Sequence, residues 1–167
     1  MRVSIFVDGN NMFYTQKKIG WFFEPKKLIE YFTVNKKLVN AFWYQGIDYA
    51  EDKRGFINSL IHEGFTVRTK EIKRFKDALS EKITYKSNLD IEIVTDMFNT
   101  VDMFNNVVIF SGSGEFERAA ELLRSHKVRV TVVSTEGMIA RELRNAADTY
   151  IDLRELKRDL IRDNAYG

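Results

Sequence analysis

Acidic residues occur at three points of the chain where a predicted strand ends or a predicted helix begins. Asp8 ends an apolar stretch, Asp90 opens an amphipathic segment, and Glu115 follows a second apolar stretch at residues 105–112. Three carboxylates at one edge of a fold would provide the oxygen ligands that Mg²⁺ prefers. An ion held in this way can activate a water molecule and stabilise charge that develops on a phosphate. The acids therefore predict hydrolytic chemistry that depends on a divalent metal ion.

Each of these acids also has a structural explanation that requires no ligand. Asp8 precedes turn-forming residues, and it could also cap a following helix. Asp90 could belong to a capping box, where an acid suits the helix dipole. Ser113 could be an N-cap and Glu115 an acid of a first helical turn. A turn is the favoured explanation of an isolated Asp-Gly-Asn, whereas three acids at one predicted edge favour a shared site.

Helical geometry separates the two aspartates of the helix predicted over residues 89–101. Asp90 shares a row with apolar residues that we expect to face the sheet, so its carboxylate should lie at the rim of the core. An ionised group there is costly unless it is paired or bound to metal. Asp96 lies roughly 240° further round an ideal helix. We expect Asp96 on the outer side, near Glu92, forming a supporting salt bridge rather than binding metal.

The elements that must position these acids alternate between strand and helix. Apolar runs rich in β-branched residues predict strands at residues 2–8, 38–46, 65–72, 105–112, 128–134 and 149–153. Helical spacing and helix-end signals predict helices at residues 25–33, 50–64, 89–101, 116–126 and 137–146, and a charged C-terminal helix. Polar residues 73–87 are expected to form a hairpin or a loop. This alternation predicts an α/β fold with a mostly parallel central sheet, whose ligands bind beyond the carboxyl ends of the strands.

Composition limits the class of protein. A chain of 167 residues with 44% hydrophobic and 30% charged residues suits one folded domain. No apolar run approaches the ~20 residues of a membrane span, and the first residues resemble a strand rather than a signal peptide. The chain has no cysteine, which excludes disulfides, thiol nucleophiles and cysteine metal sites. We therefore expect a cytoplasmic protein with no membrane segment.

Four stretches, in order, resemble the NYN domain and more closely its LabA-like branch. They are IFVDGNNMF at residues 5–13, KSNLDIEIVTDM at 86–97, VVIFSGSGEFERAAELL at 107–123 and VVSTEGMIARELRNAADTYIDL at 132–153. The resemblance implies a three-layer α/β/α PIN-like fold in a superfamily of metal-dependent ribonucleases. It also implies a single domain over residues 1–167, in which residues 154–167 form a C-terminal helical extension.

The resemblance assigns roles by position. Asp8, Asp90 and Glu115 match catalytic residues that also bind the metal, Mg²⁺ or Mn²⁺, and Ser113 occupies a further metal-binding position. Asn11 matches a polar residue that binds a metal-bound water or a phosphate. The supporting residues are Asn10, Asn11, Ser111 and Asp96.

The family pattern S-G-D-x-D-F corresponds to residues 111–116, SGSGEF, so the chain departs from it twice. Serine at position 113 removes one of four clustered negative charges, which should stabilise the metal-free fold and weaken metal binding. Glutamate at position 115 keeps the charge but moves the carboxylate, whereas Mg²⁺ demands near-ideal octahedral geometry.

A basic segment is a candidate contact for single-stranded RNA, although the net charge of +2 does not indicate nucleic acid by itself. Residues 67–76, VRTKEIKRFK, hold five cationic side chains, one acid and an aromatic residue. Cations neutralise phosphates and an aromatic ring can stack on a base. A solvated hairpin is the favoured explanation of such a run taken alone. The candidate RNA-binding residues are Lys70, Lys73, Arg74 and Lys86.

Two functions stay open. The first is a metal-dependent endoribonuclease acting on single-stranded RNA, with catalysis weakened by Ser113 and Glu115. The second is a non-catalytic regulatory module of the LabA type that binds RNA or protein. The aromatic stretch at residues 21–23, Trp-Phe-Phe, leaves a homodimer open, although we expect part of it to lie in the core.

Overall fold

The structure, a computed structural model, describes residues 1–76, 78–79, 83–86 and 88–163, with the backbone alone for 74–76 and 83–86. The strands are β1 Arg2–Asp8, β2 Lys37–Ile47, β3 Thr66–Glu71, β4 Lys73–Lys76, β5 Ile83–Lys86, β6 Asn106–Phe110, β7 Arg129–Ser134 and β8 Thr149–Asp152. The α-helices are α1 Gly9–Ile19, α2 Pro25–Phe32, α3 Arg54–His62, α4 Asp90–Asn99, α5 Glu117–Ser125, α6 Arg141–Ala146 and α7 Lys157–Leu160. Short 3₁₀ turns occupy Val101–Met103, Gly114–Phe116 and Leu153–Leu156.

Six strands form one sheet in the order β3-β2-β1-β6-β7-β8, and every neighbouring pair is parallel. Strands β4 and β5 form a separate antiparallel hairpin, which confirms one of the two alternatives for residues 73–87. Because all six strands run in the same direction, their carboxyl ends share one edge. Strand β1 lies in the middle, between β2 and β6, so Asp8 stands at the centre of that edge.

Apolar layers cover both faces of the sheet, because successive strand residues point to opposite sides. On one face, Val7 and Trp43 pack with buried residues of α1, α2, α3 and α7. On the other face, Phe6 and Tyr44 pack with buried residues of α4, α5 and α6. The predicted three-layer α/β/α fold is therefore confirmed. No helix in the described ranges combines the length and the apolar character that crossing a bilayer requires.

Helix α1 has no counterpart among the predicted elements. Its N-cap is Asp8, whose side chain accepts a hydrogen bond from the backbone N–H of Asn11, and its C-cap is Gly20 in a left-handed conformation. Met12 and Gln16 bury one side of the helix. The sequence did not predict this helix, because its first residues, Gly-Asn-Asn, are typical of turns.

Three predicted helices have shorter or later limits in the structure. Helix α3 begins at residue 54 rather than 50, and α6 at residue 141 rather than 137. Gly137 has a φ of 87°, a left-handed conformation that stops a helix from continuing through it. The predicted C-terminal helix is a 3₁₀ turn at Leu153–Leu156 followed by the single turn of α7.

The aromatic stretch at residues 21–23 divides between core and surface. Trp21 and Phe23 are buried, whereas Phe22 is 39% exposed. The expectation that part of this stretch lies in the core is confirmed.

Candidate active site

Asp8 is a half-buried carboxylate held in place by two hydrogen bonds. Its Oδ1 accepts from the backbone N–H of Asn11 at 3.3 Å, and its Oδ2 accepts from the hydroxyl of Ser111 at 3.0 Å. Burial raises the pKa of Asp8 to about 6; these hydrogen bonds oppose the rise, and the charge of Asp90 adds to it. The carboxylate is therefore fixed in position, and among the described side chains no cation forms a salt bridge with it.

Polar side chains join the ends of β1 and β6. The Oδ1 atom of Asn11 accepts from the backbone N–H of Gly112 at 3.0 Å. The buried Ser111 hydroxyl accepts from the backbone N–H of Ser113 at 3.2 Å while it donates to Asp8. Ser111 and Asn11 thus set the spacing between Asp8 and the loop that carries Ser113. Both belong to the predicted supporting set.

Asn10 forms hydrogen bonds to β2, the neighbour of β1 on the side away from β6. Its Oδ1 accepts from the backbone N–H of Gly46 at 3.0 Å and from Nε2 of Gln45 at 3.3 Å, both at the end of β2. Gly9 permits this approach, because a Cβ at that position would lie 2.5 Å from the carbonyl oxygen of Tyr44. The start of α1 is therefore fixed against β2 as well as against β6.

Asp90 and Glu115 reach the same edge from the α4 side of the sheet. The backbone N–H of Asp90, the first residue of α4, donates to Oδ1 of Asn88 at 2.8 Å. Burial raises the pKa of Asp90, the charges of Glu115 and Glu92 raise it further, and a side-chain hydrogen bond from Asn88 opposes the rise. Asp90 thus interacts electrostatically with both other acids, since its charge also raises the pKa of Asp8.

The three acids do not form a closed metal cage. Across the described ranges, no group of three or more acidic or histidine side chains could hold an ion. Mg²⁺ is usually bound by one or two carboxylates and keeps several waters, so a pair such as Asp8 and Asp90 fits that mode of binding. A cation would also relieve the repulsion that raises the pKa of both groups. The donor set fits a hydrated divalent ion at an open site.

Ser113 has a structural role at its position. Its Oγ accepts from the backbone N–H of Glu115 at 3.3 Å and caps the turn Gly114–Phe116. Glu115 lies in the first turn of that segment, where an acid suits the helix dipole. The structural explanation of both residues therefore holds, whether or not they also face an ion.

Asp96 corrects one expectation. It is a supporting residue with a salt bridge, as predicted, but it is only 8% exposed rather than on the outer side of α4. Its carboxylate accepts from the hydroxyl of Tyr44 at 2.8 Å and from Nη2 of Arg68 at 3.0 Å. The buried face of α4 contains Ile93 and Met97, and Asp96 lies on it beside them. The face of α4 that packs on the sheet is therefore rotated about the helix axis from the predicted face, which included Asp90.

The predicted RNA-binding residues divide into different environments. Lys70 donates to the carbonyl oxygen of Asn88 at 3.1 Å and to Oε1 of Glu92 at 3.2 Å, so it holds the start of α4. Lys73 is exposed and opens the hairpin, where its Cα lies opposite that of Lys86. The side chains of Arg74 and Lys86 lie outside the described residues. Sequence reasoning missed the Arg68 contribution, because a basic run gives no signal that one of its members is paired.

Comparison with known proteins decides the family. The sequence model of the NYN domain matches residues 2–154. The chain belongs to the NYN domain family. Low amplitude and bright protein LabA from Synechococcus elongatus is 54% identical to it over 159 residues, 93% of this chain and 86% of that protein. The resemblance to the NYN domain and to its LabA-like branch is confirmed.

A solved structure supports the NYN fold independently. A protein of unknown function from Vibrio parahaemolyticus superposes with a TM-score of 0.80, and the match covers 96% of each chain at 21% identity. At this identity the likeness bears on the fold alone. The NYN family in turn places the chain in a nuclease-like superfamily whose members generally depend on divalent metal ions.

Proposed function

We propose that this NYN domain is a metal-dependent, ribonuclease-like protein of the cytoplasm that binds or cleaves single-stranded RNA, with weak catalysis. One observation carries the proposal: Asp90 at the start of α4 interacts electrostatically with both Asp8 and Glu115 at the carboxyl edge of the sheet. Burial and neighbouring acids raise the pKa values of two of them, Asp8 and Asp90, and such shifts are typical of functional sites.

Asp8 and Asp90 would hold the ion, with Glu115 as a third acid beside Asp90. A bound Mg²⁺ or Mn²⁺ would supply an activated water and stabilise charge on the phosphate. Ser111 and the backbone of Asn11 keep the carboxylate of Asp8 in one orientation. Ser113 contributes a hydroxyl where the family pattern has a carboxylate, so one negative charge is missing. Weak metal binding follows from that loss.

The substrate side of the proposal rests on the basic residues near α4. Lys70 contacts the carbonyl oxygen of Asn88, which precedes Asp90 by two residues, so Lys70 lies at the start of this helix. Lys73 and Arg74, on β4, and Lys86, on β5, belong to the neighbouring hairpin. Cations beside an acidic metal site suit a substrate whose phosphates approach the ion.

A second function, a non-catalytic regulatory module that binds RNA or protein, also has support. The Ser113 hydroxyl caps the turn that follows it, and the described acids form no closed metal cage. A site of this kind can keep the fold and lose the chemistry. The 54% identity to low amplitude and bright protein LabA supports membership of the LabA-like branch, and analogy with that branch allows a regulatory role.

The experiment that separates the two functions is cleavage of labelled single-stranded RNA in Mn²⁺, with Asp8→Asn as the control. Cleavage by the wild type that disappears in Asp8→Asn supports the ribonuclease. Binding of RNA without cleavage supports the regulatory module. Equal cleavage by both proteins would identify a contaminating nuclease and remove support for catalysis at Asp8.

The proposal treats residues 1–167 as one domain, with residues 154–167 as a C-terminal extension. Contacts with α2 and the segment before it support this arrangement. Ile161 forms a β-bridge with Phe23, and Lys27 pairs with Asp163 at 3.0 Å. A homodimer is a further part of the proposal, to be tested by sedimentation.

A further inference from the structure

An aromatic cavity opens on the α1 side of the sheet edge. It has a volume of about 230 Å³, and two ring pairs contribute to its walls. Phe13 and Phe22 have ring centroids 6.4 Å apart, and Trp43 and Phe56 have centroids 6.0 Å apart. Pockets for drug-sized ligands occupy about 300–1,000 Å³, so this cavity suits one ring system.

Three of these aromatic rings remain accessible to solvent. Phe13 is 43% exposed, Phe22 39% and Phe56 36%. Aromatic side chains usually bury most of their surface, and grouped exposed ones are typical of binding sites. The cavity therefore offers apolar ring faces to a ligand.

The cavity adjoins the acidic edge. Gly9 lines it and is bonded directly to Asp8. A larger cavity of about 540 Å³ shares Phe13, Gln45 and Lys53 with it and is also lined by Asn10. The end of β1 therefore connects the two features, with Asp8 at the acidic edge and the next residue, Gly9, in the wall of the aromatic cavity.

Cations stand around the aromatic cavity. Lys53 lines both cavities and pairs with Glu51 at 3.4 Å on the surface, an interaction that contributes little to stability. Arg162 lines the aromatic cavity and lies 3.7 Å from Glu24. Both cationic side chains are about half exposed, so a phosphate of a bound strand can approach them. An apolar cavity with two exposed cations in its wall suits a nucleotide better than an apolar peptide side chain.

The two glutamine side chains in the cavity wall already form hydrogen bonds within the protein. Oε1 of Gln45 accepts from Nε1 of Trp43 at 3.1 Å. Nε2 of Gln16 donates to the carbonyl oxygen of Met12 at 3.0 Å, and its Oε1 accepts from the backbone N–H of Phe23 at 2.9 Å. Recognition by stacking on aromatic rings tolerates every base, because each base has a π-face.

We propose that this cavity holds one unpaired nucleobase of a single-stranded RNA whose backbone passes Asp8, by stacking and not by base-specific hydrogen bonds. The proposal rests on the proposed RNA-binding function and adds to it the part of the substrate that the α1 side recognises. It makes the cavity a binding site separate from the acids that would hold the metal.

The test compares two strands of equal length, an RNA of mixed sequence and a ribose-phosphate strand that lacks all bases. A length of about eight nucleotides lies within the range of single-strand binding sites. Affinities are measured by fluorescence anisotropy in EDTA, which prevents cleavage. The variants are Phe22→Ser and Phe13→Ser, and Tyr31→Ser is the matched control. Tyr31 is 39% exposed, as is Phe22, and lies outside both cavities.

We expect each cavity variant to weaken binding of intact RNA about five- to tenfold and to leave binding of the abasic strand unchanged. Tyr31→Ser should bind both strands as the wild type does, and exchanging one base for another should change affinity less than about threefold. Thermal melting confirms that the exposed substitutions leave the protein folded.

The failures are distinguishable. If the wild type binds RNA and neither cavity variant weakens that binding, the cavity proposal is overturned and the proposed function stands. If the wild type binds neither strand, both proposals fail. If the cavity variants change only the sedimentation mass, the nucleobase proposal is overturned and the cavity belongs to a protein contact.

Discussion

The guanidinium of Arg68 on β3 donates hydrogen bonds to both carboxylate oxygens of Asp96 on α4, with Nη2 to Oδ1 at 3.0 Å. The hydroxyl of Tyr44 on β2 donates to the same carboxylate at 2.8 Å. Two strands therefore fix the helix that begins at Asp90. Because Asp96 is nearly buried, its partners neutralise a charge that would otherwise be costly.

Removing the guanidinium should destabilise the fold. Arg68→Met leaves the carboxylate of Asp96 buried with only the Tyr44 hydroxyl, so we expect a loss of about 1–3 kcal/mol in the free energy of unfolding. Urea denaturation measures it. The matched control is Arg118→Met, which removes an exposed partner of Glu121 and should cost under about 0.5 kcal/mol. Equal small losses in the two variants would contradict a structural role for Arg68.

Restoring an acid at position 113 should strengthen metal binding. Ser113→Asp adds the missing negative charge, and aspartate caps a helix as well as serine does. We expect Mn²⁺ or Mg²⁺ affinity to rise about tenfold, which corresponds to ~1.4 kcal/mol. Calorimetric titration measures the affinity, with Ser113→Asn as a control that keeps the cap without the charge. Identical affinities in wild type and Ser113→Asp would refute a metal-binding position there.

Asp8 should make the metal-free protein less stable as the pH rises. Burial raises the pKa of Asp8 to about 6 in the folded protein from an ordinary value of 3.8, so between these values the folded state binds more protons than the unfolded state. Stability therefore falls as pH rises through this window, and the loss is complete above the folded pKa.

The corresponding variant is Asp8→Asn, measured by urea denaturation in EDTA. We expect it to stabilise the protein by about 1–2 kcal/mol more at pH 7.5 than at pH 4, relative to wild type. The matched control is Asp159→Asn, the same substitution at an exposed position. A difference that is the same at both pH values would show that ionisation of Asp8 is not the cause.

The basic segment should determine the salt dependence of RNA binding. A triple variant with glutamine at positions 70, 73 and 74 should weaken binding and reduce the slope of log K against log salt by about 2, since each neutralised phosphate contributes ~0.7 for single strands. An unchanged slope would exclude these cations from the interface. The charge-matched control replaces Lys36, Lys37 and Arg129, which are exposed near the opposite edge of the sheet.

Lys70 requires a further comparison because it also contacts Glu92 and the Asn88 carbonyl. The double variant Lys73→Gln/Arg74→Gln leaves those contacts intact. A slope reduced by about 1.4 in the double variant assigns direct phosphate contacts to β4. If the slope falls only when Lys70 is also replaced, the effect comes from a shift of α4, which Lys70 holds in place, and not from direct phosphate contacts of β4.

Local patterns predicted the frame of the fold and the edge that carries the site. A short apolar strand ending at Asp8, followed by regular alternation of strands and helices, is enough to place Asp8 at the carboxyl edge of a parallel sheet. The burial of Asp96 could not be predicted from the helix alone, since its neutralising partner Arg68 comes from a strand 28 residues earlier. Helix α1 escaped prediction because its stability comes from packing of residues such as Met12, not from its turn-like opening.

The cap formed by Ser113 has a consequence for how the family can diversify. Serine and aspartate both accept the backbone hydrogen bond that starts the turn Gly114–Phe116, so exchange between them at position 113 keeps the cap. The charge alone, and not the start of the turn, then distinguishes the two residues in the metal-free fold. Under the proposed function, a single exchange at position 113 can strengthen or weaken metal binding while the turn keeps its cap.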